Sequence, residues 1–201
     1  MSEFNDIGFD KSNDIGKAGE KFYTEYVKSK GFDVLDVSDD PYFQSIDVDI
    51  IVSNKKGLHL GETIKYQILN KEPVDSTLID VKTDTVAGKT GNFYFEWIAH
   101  YKPGCFAVTR ADKWIYIYWD PDKDAPSKMW SIDINSLRSA VVGGRIKPGM
   151  IIEYTDGVTL SGTVKEYRSQ KDKRGKDPGM YAWRIPIGYL TELGIVKEIK
   201  L

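Results

Sequence analysis

Side chains alternate faces along an extended segment, and two stretches of this chain alternate in chemistry as well. In Thr77-Leu78-Ile79-Asp80-Val81-Lys82-Thr83, Asp80 and Lys82 fall on one face while Ile79 and Val81 fall on the other. In Ile46-Asp47-Val48-Asp49-Ile50-Ile51-Val52, Asp47 and Asp49 share a face opposite Ile46, Val48 and Ile50. Ahead of both, Gly16-Lys17-Ala18-Gly19-Glu20 opens a helical pattern. Two strands that carry carboxylates and one lysine on a common face, behind a helix that offers a glutamate, can hold a hard divalent cation beside an ammonium group. That is the equipment for hydrolysing a phosphodiester. The same alternation also fits a solvated, half-exposed sheet on which Lys82 pairs with an aspartate. The helix glutamate is what separates the two readings.

The rest of the pattern predicts an α/β fold, a mixed central sheet flanked by helices. A helix is expected from Asp14, as N-cap, to a stop at Gly31, with Ile15, Ala18, Phe22 and Tyr26 at helical spacing. Strands are expected over Phe32–Val37, Gln44–Val52 and Thr77–Thr83, with a hairpin strand at Ile64–Leu69. Residues Asp84–Asn92 read as a loop, and Phe93–Ile98 as a strand or short helix. Phe106–Val108 and Trp114–Trp119 read as strands, and Ile134–Val141 as a helix capped by Asp133. Ile151–Leu160 reads as a hairpin turning at Asp156-Gly157, and Tyr189–Leu193 as a short helix. At 201 residues one domain is expected: a core over 1–143, then a small β-rich C-terminal extension over 144–201, divided near Gly143-Gly144.

A net charge of −2 supplies no global attraction for nucleic acid, so such a partner would be held by a local patch. The densest basic run is Lys165–Lys176, where Arg168, Lys171, Lys173 and Arg174 are candidate phosphate contacts. Lys89 is another, because its loop follows the Asp80 strand. Gly88-Lys89-Thr90 is not a phosphate-binding P-loop, since Thr83 stands where that motif needs its first glycine. The single Cys105 lies in an apolar run and excludes an intrachain disulfide. His59 and His100 are too few for a structural zinc site. No apolar stretch approaches the ~20 residues of a membrane helix, and the polar first residues carry no signal sequence, so a cytoplasmic setting is expected.

The order helix glutamate, strand aspartate, then Asp-x-Lys resembles the PD-(D/E)xK nuclease superfamily, which includes restriction endonucleases and archaeal Holliday-junction resolvases. Gly16–Val37 is similar to the start of resolvase-like members, and Asp40-Pro41-Tyr42-Phe43-Gln44-Ser45-Ile46-Asp47 resembles a signature of phage-type members. Ile79-Asp80-Val81-Lys82-Thr83 looks like the catalytic strand, and the resemblance spans roughly residues 14 to 119. It implies a restriction-endonuclease-like fold and a Mg²⁺-dependent endodeoxyribonuclease, with Mn²⁺ as substitute, in a bacterial or phage-encoded protein. It implies that Glu20, Asp47 or Asp49, Asp80 and the main-chain carbonyl of Val81 surround the metal. Lys82 would position the attacking water, and Gln44 would support the site from behind. No proline immediately precedes Asp47 or Asp49, which departs from the family pattern. DNA is the expected partner, and a homodimer would bring two sites to two strands. The rival reading is a non-catalytic nucleic-acid-binding or assembly protein that retains the fold. Lys82 is expected to face solvent, so that Lys82→Ala would leave the fold intact.

Overall fold

In the computed structural model, the described residues are 9–53, 61–72, 74–147, 151–152, 162–163, 165–168, 179 and 181–201. The chain begins with α1 (Phe9–Ser29), β1 (Asp33–Asp36), α2 (Pro41–Ser45), β2 (Ile50–Ser53) and α3 (Gly61–Leu69). It continues through β3 (Thr77–Asp84), α4 (Ala87–Thr90), β4 (Asn92–Ala99), β5 (Lys102–Pro103) and α5 (Cys105–Val108). Next come β6 (Lys113–Asp120), β7 (Ala125–Asp133), α6 (Ile134–Val142), β8 (Ile151–Ile152), β9 (Gly162–Thr163) and β10 (Lys165–Arg168). The described elements end with β11 (Tyr181–Pro186), α7 (Ile187–Glu192) and β12 (Val196–Ile199).

Six strands form a mixed central sheet in the order β1-β2-β3-β6-β7-β12, in which β3 and β6 run parallel and every other neighbour is antiparallel. A second sheet, β10-β11-β4-β5, is antiparallel throughout. Residues 144–201, expected as a β-rich extension, supply β11 beside β4 and β12 at the edge of the central sheet.

The central sheet divides the core. On one face Ile50, Ile79, Val81, Ile115, Ile117 and Met129 pack with Tyr23 and Val27 of α1. On the other, Leu78, Trp114, Tyr116 and Trp130 join Phe43, Phe93, Phe95 and Leu137 in the larger cluster. Period-2 alternation in β3 therefore holds as expected. α1 lies close against β3: a Cβ added at Gly19 would overlap the Thr83 side chain. We expect Gly19→Ala to lose about 1–3 kcal/mol through overpacking, read by urea unfolding, with Thr83→Ala recovering part of it.

Several expected elements take another form. α1 begins at Phe9, so Asp14 lies inside the helix, although Gly31 does end it with φ +87°. The expected strand Gln44–Val52 is split. Asp40 accepts from the Tyr42 and Phe43 N–H groups and Pro41 occupies the first turn, which starts α2 and leaves only Ile50–Ser53 as strand. Residues Ile64–Leu69 lie in α3, where Ile64 and Ile68 fall one turn apart and both pack on the core. The Phe106–Val108 strand is instead the single helical turn α5, and the Asp84–Asn92 loop contains α4. α6 is capped as expected, with the Asp133 carboxylate accepting from Ser136 N–H. The Asp156-Gly157 turn lies outside the described residues. No helix among the described residues is long and apolar enough to cross a membrane.

Candidate functional site

Strand β3 places Asp80 and Lys82 on the face opposite α1. Asp80 is only 1% exposed, and the Lys82 ammonium stands 2.8 Å from its Oδ2. This is an ion pair whose angle lies outside hydrogen-bond geometry, so Oδ2 has no hydrogen-bond donor. Parallel pairing sets Trp114 of β6 beside Asp80, and the Lys82 Nζ lies 5.6 Å from the centre of the Trp114 ring, close enough for a cation–π contact. Lys82 also donates to both carboxylate oxygens of Asp47 at 3.1 Å. The expected solvent-facing Lys82 is thus a partly buried cation gripped by two aspartates.

Asp47 reaches it from a turn, which corrects its expected place on a strand face. Its φ is +55°, a left-handed conformation that aspartate tolerates better than most residues. Its N–H donates to Gln44 O, its carbonyl accepts from the Thr109 hydroxyl, and Arg110 N–H donates to Ile46 O. Thr109 is buried, and Arg138 donates to its carbonyl at 2.6 Å, so the turn is braced from behind. Asp49, two residues on, keeps strand-like pairing through Ile79 O and Val37 N–H. Its carboxylate accepts from the Val81 N–H at 2.8 Å.

Charge in the site is out of balance. Burial raises the Asp80 carboxyl well above the usual aspartate range; the hydrogen-bonding carboxyl of Asp47 and the charge of Asp49 add to this, and Lys82 opposes it. Asp49 is raised as well, mainly by burial, against the pull of the Val81 N–H and Lys82. The charges of Asp80 and Asp47 raise Lys82 above the usual lysine range despite its burial, so it remains an ammonium. Glu20 on α1 is pushed up to about 7, first by burial and then by Asp49 and Asp36, while a hydrogen bond with Ser38 lowers it. Glu20 therefore flanks Asp49. The Gln44 side chain donates to Ser38 O at 2.8 Å and so braces the loop beside Glu20.

Glu96, which the sequence offers as an added ligand but more readily as an edge-strand glutamate, also joins the cluster, as does Cys105, expected as a small core residue. Burial raises Glu96, whose charged neighbours include Lys82, His100 and Asp47. Burial pushes the Cys105 thiol up to about 12, with Lys82 pulling it down, and its Sγ contacts Glu96 O at 3.4 Å. Alternation of β4 puts Glu96 on the face of Asn92 and Tyr94. That was the only signal in the sequence, and it does not say which strand lies opposite.

An ion suited to this set is hard and divalent, because the donors are all oxygen and three aspartates face a single ammonium. Among the described residues, no three His, Cys, Asp or Glu side chains stand together as a ready ligand cage. Mg²⁺ does not need one, since it keeps several waters and takes one or two carboxylates. Asp80, buried between the Asp47 and Asp49 carboxyls, fits that requirement.

Beside the cluster lies a cleft of about 710 Å³, lined among others by Lys82, Asp84, Thr90, Tyr94, Glu96 and Arg184. Lys89 is exposed on α4, next to Thr90 of the cleft. Arg168 ends β10, paired with Tyr181, whereas Lys171, Lys173 and Arg174 lie outside the described residues.

A raised carboxyl makes the folded chain bind protons more tightly than the unfolded one. Stability should therefore fall as pH rises from 4.5, the ordinary value, through about 7, and level off above it. In EDTA, we expect the urea midpoint to drop between about pH 5 and about pH 7.5, with Glu20→Gln making the drop shallower. Comparison with family models, curated proteins and solved structures finds no match to this chain.

Proposed function

We propose that this chain is a divalent-metal-dependent endodeoxyribonuclease with a restriction-endonuclease-like core. The observation that carries this reading is the Lys82 ammonium held 2.8 Å from Asp80, itself pressed against the Asp47 and Asp49 carboxyls. Nothing in packing requires three aspartates around one lysine in a sheet face, and burying like charges is costly without a cation to share. Asp80 and Asp49 would hold the ion, with the Val81 carbonyl beside them and Glu20 on the flank. Bound Mg²⁺ supplies Lewis-acid polarisation of the phosphate and lowers the pKa of a water. Lys82, kept charged by its neighbours, orients the attacking water and meets negative charge growing on the phosphate oxygens. Asp47 is the positioning residue for Lys82, since it fixes the ammonium through both its oxygens.

The lack of a three-residue ligand cage among the described residues favours a second reading, a DNA-binding or assembly protein that keeps the fold without catalysis. One assay separates them. Supercoiled plasmid and a branched DNA are incubated with Mg²⁺, Mn²⁺ or EDTA. Nuclease action predicts nicked or linear products with either metal and none in EDTA. DNA retained by the protein but intact under all three conditions would establish the second reading instead. Cutting both strands would call on a homodimer, which sedimentation with and without DNA would reveal.

A further inference from the structure

Gly16 and Gly19 lie one turn apart on α1, and packing explains only Gly19, which backs onto Thr83. A Cβ added at Gly16 would meet no atom within 4 Å. Glycine inside a helix is destabilising relative to alanine, so its presence at Gly16 calls for another reason. Gly16 lines the cleft that contains Lys82, and the space a side chain there would take is open.

We propose that this cleft receives an unpaired stretch of DNA strand, so that the substrate is DNA locally single-stranded at the scissile phosphate. The catalytic half of this statement rests on the nuclease reading; the binding half does not. Size supports it, because about 710 Å³ lies in the range of pockets that engulf a small molecule, room for roughly one or two nucleotides and too little for a duplex. Chemistry supports it too. Single strands are held by cationic groups along the backbone and aromatic faces against the bases. The cleft has Lys82 and Arg184 for the first role and Tyr94 for the second, with Tyr94 and Arg184 set side by side across the β4–β11 pair. The bare helix backbone at Gly16 then keeps that edge of the cleft clear for a strand.

The test measures binding of three fluorescein-labelled DNAs in Ca²⁺: a short oligothymidylate, a perfect duplex, and the same duplex with a small unpaired bulge. The wild-type chain should bind the oligothymidylate and the bulged duplex at least about tenfold more tightly than the perfect duplex. Gly16→Leu should unfold at no lower urea concentration than wild type, because the site has open space and leucine favours helix. It should nevertheless lose at least about tenfold in affinity for the oligothymidylate. Equal affinity for all three DNAs, or unchanged binding by folded Gly16→Leu, overturns the proposal. Cleavage of perfect duplex with no strand preference would leave the nuclease reading standing and remove this one. Strand-selective binding that Gly16→Leu abolishes, in a protein that cuts nothing, would do the reverse.

Discussion

Lys82→Met should lose about 3 kcal/mol of stability at neutral pH and lower any cleavage rate about 10²–10³-fold. The stability loss arises at Asp80, 1% exposed, which would be left buried without its cation and next to two further carboxyls. We take the low end of the range for a broken buried pair because the Lys82 side chain keeps 27% exposure. Adding Asp80→Asn should return most of the stability and none of the cleavage, since the uncompensated charge is gone and an anionic ligand with it. The pH dependence has a definite sign. Without Lys82 the folded-state pKa of Asp80 rises further, so the deficit is full above that raised value and shrinks as pH falls through it toward the already raised wild-type value. Urea unfolding across pH reads the first part and plasmid nicking the second. A variant as stable as wild type at neutral pH would mean that Asp80 is already protonated there.

Phe93→Ala should be the most damaging single truncation in the core, at about 3–5 kcal/mol. Phe93 is fully buried, its ring centre 4.5 Å from that of Tyr116 and 5.4 Å from that of Trp130, meeting the latter edge-on. It joins the second sheet to the central one and lines the cleft. Removing the ring leaves an apolar hollow against Tyr116 and Trp130, and a dry hollow of that kind accepts benzene. Benzene should therefore raise the melting temperature of Phe93→Ala and leave that of wild type unchanged. No response to benzene would show that Tyr116 and Trp130 collapse into the space.

What could be read from the sequence was whatever depends on neighbours along the chain. Alternation in 77–83 put Asp80 and Lys82 on one face, and they are in contact. Asp133 and Gly31 marked helix ends that exist. Asp47 was drawn to the right cluster by the wrong route: a left-handed turn aims it at Lys82, and alternation assumes that no such turn intervenes. The Asp40-Pro41 start of α2 was in plain view, yet the apolar run behind it reads equally well as strand. Short apolar segments such as 105–108 and 64–69 are ambiguous between helix and strand until tertiary packing decides. What Glu96 and Cys105 face was hidden for a different reason. Their nearness to Lys82 depends on the chain returning through a second sheet, and nothing local encodes that return.

The pairing of β11 with β4 has a consequence for how the molecule comes into being. During synthesis, β3 and its charged residues emerge early and can pair with β2 and then with β6. The wall that encloses them gains its outer neighbour only once residues 181–186 have been made. Until then the growing chain carries Asp47, Asp49, Asp80 and Lys82 without their finished enclosure. On the nuclease reading, the chain would thus stay latent on the ribosome until the final tenth of its 201 residues is made.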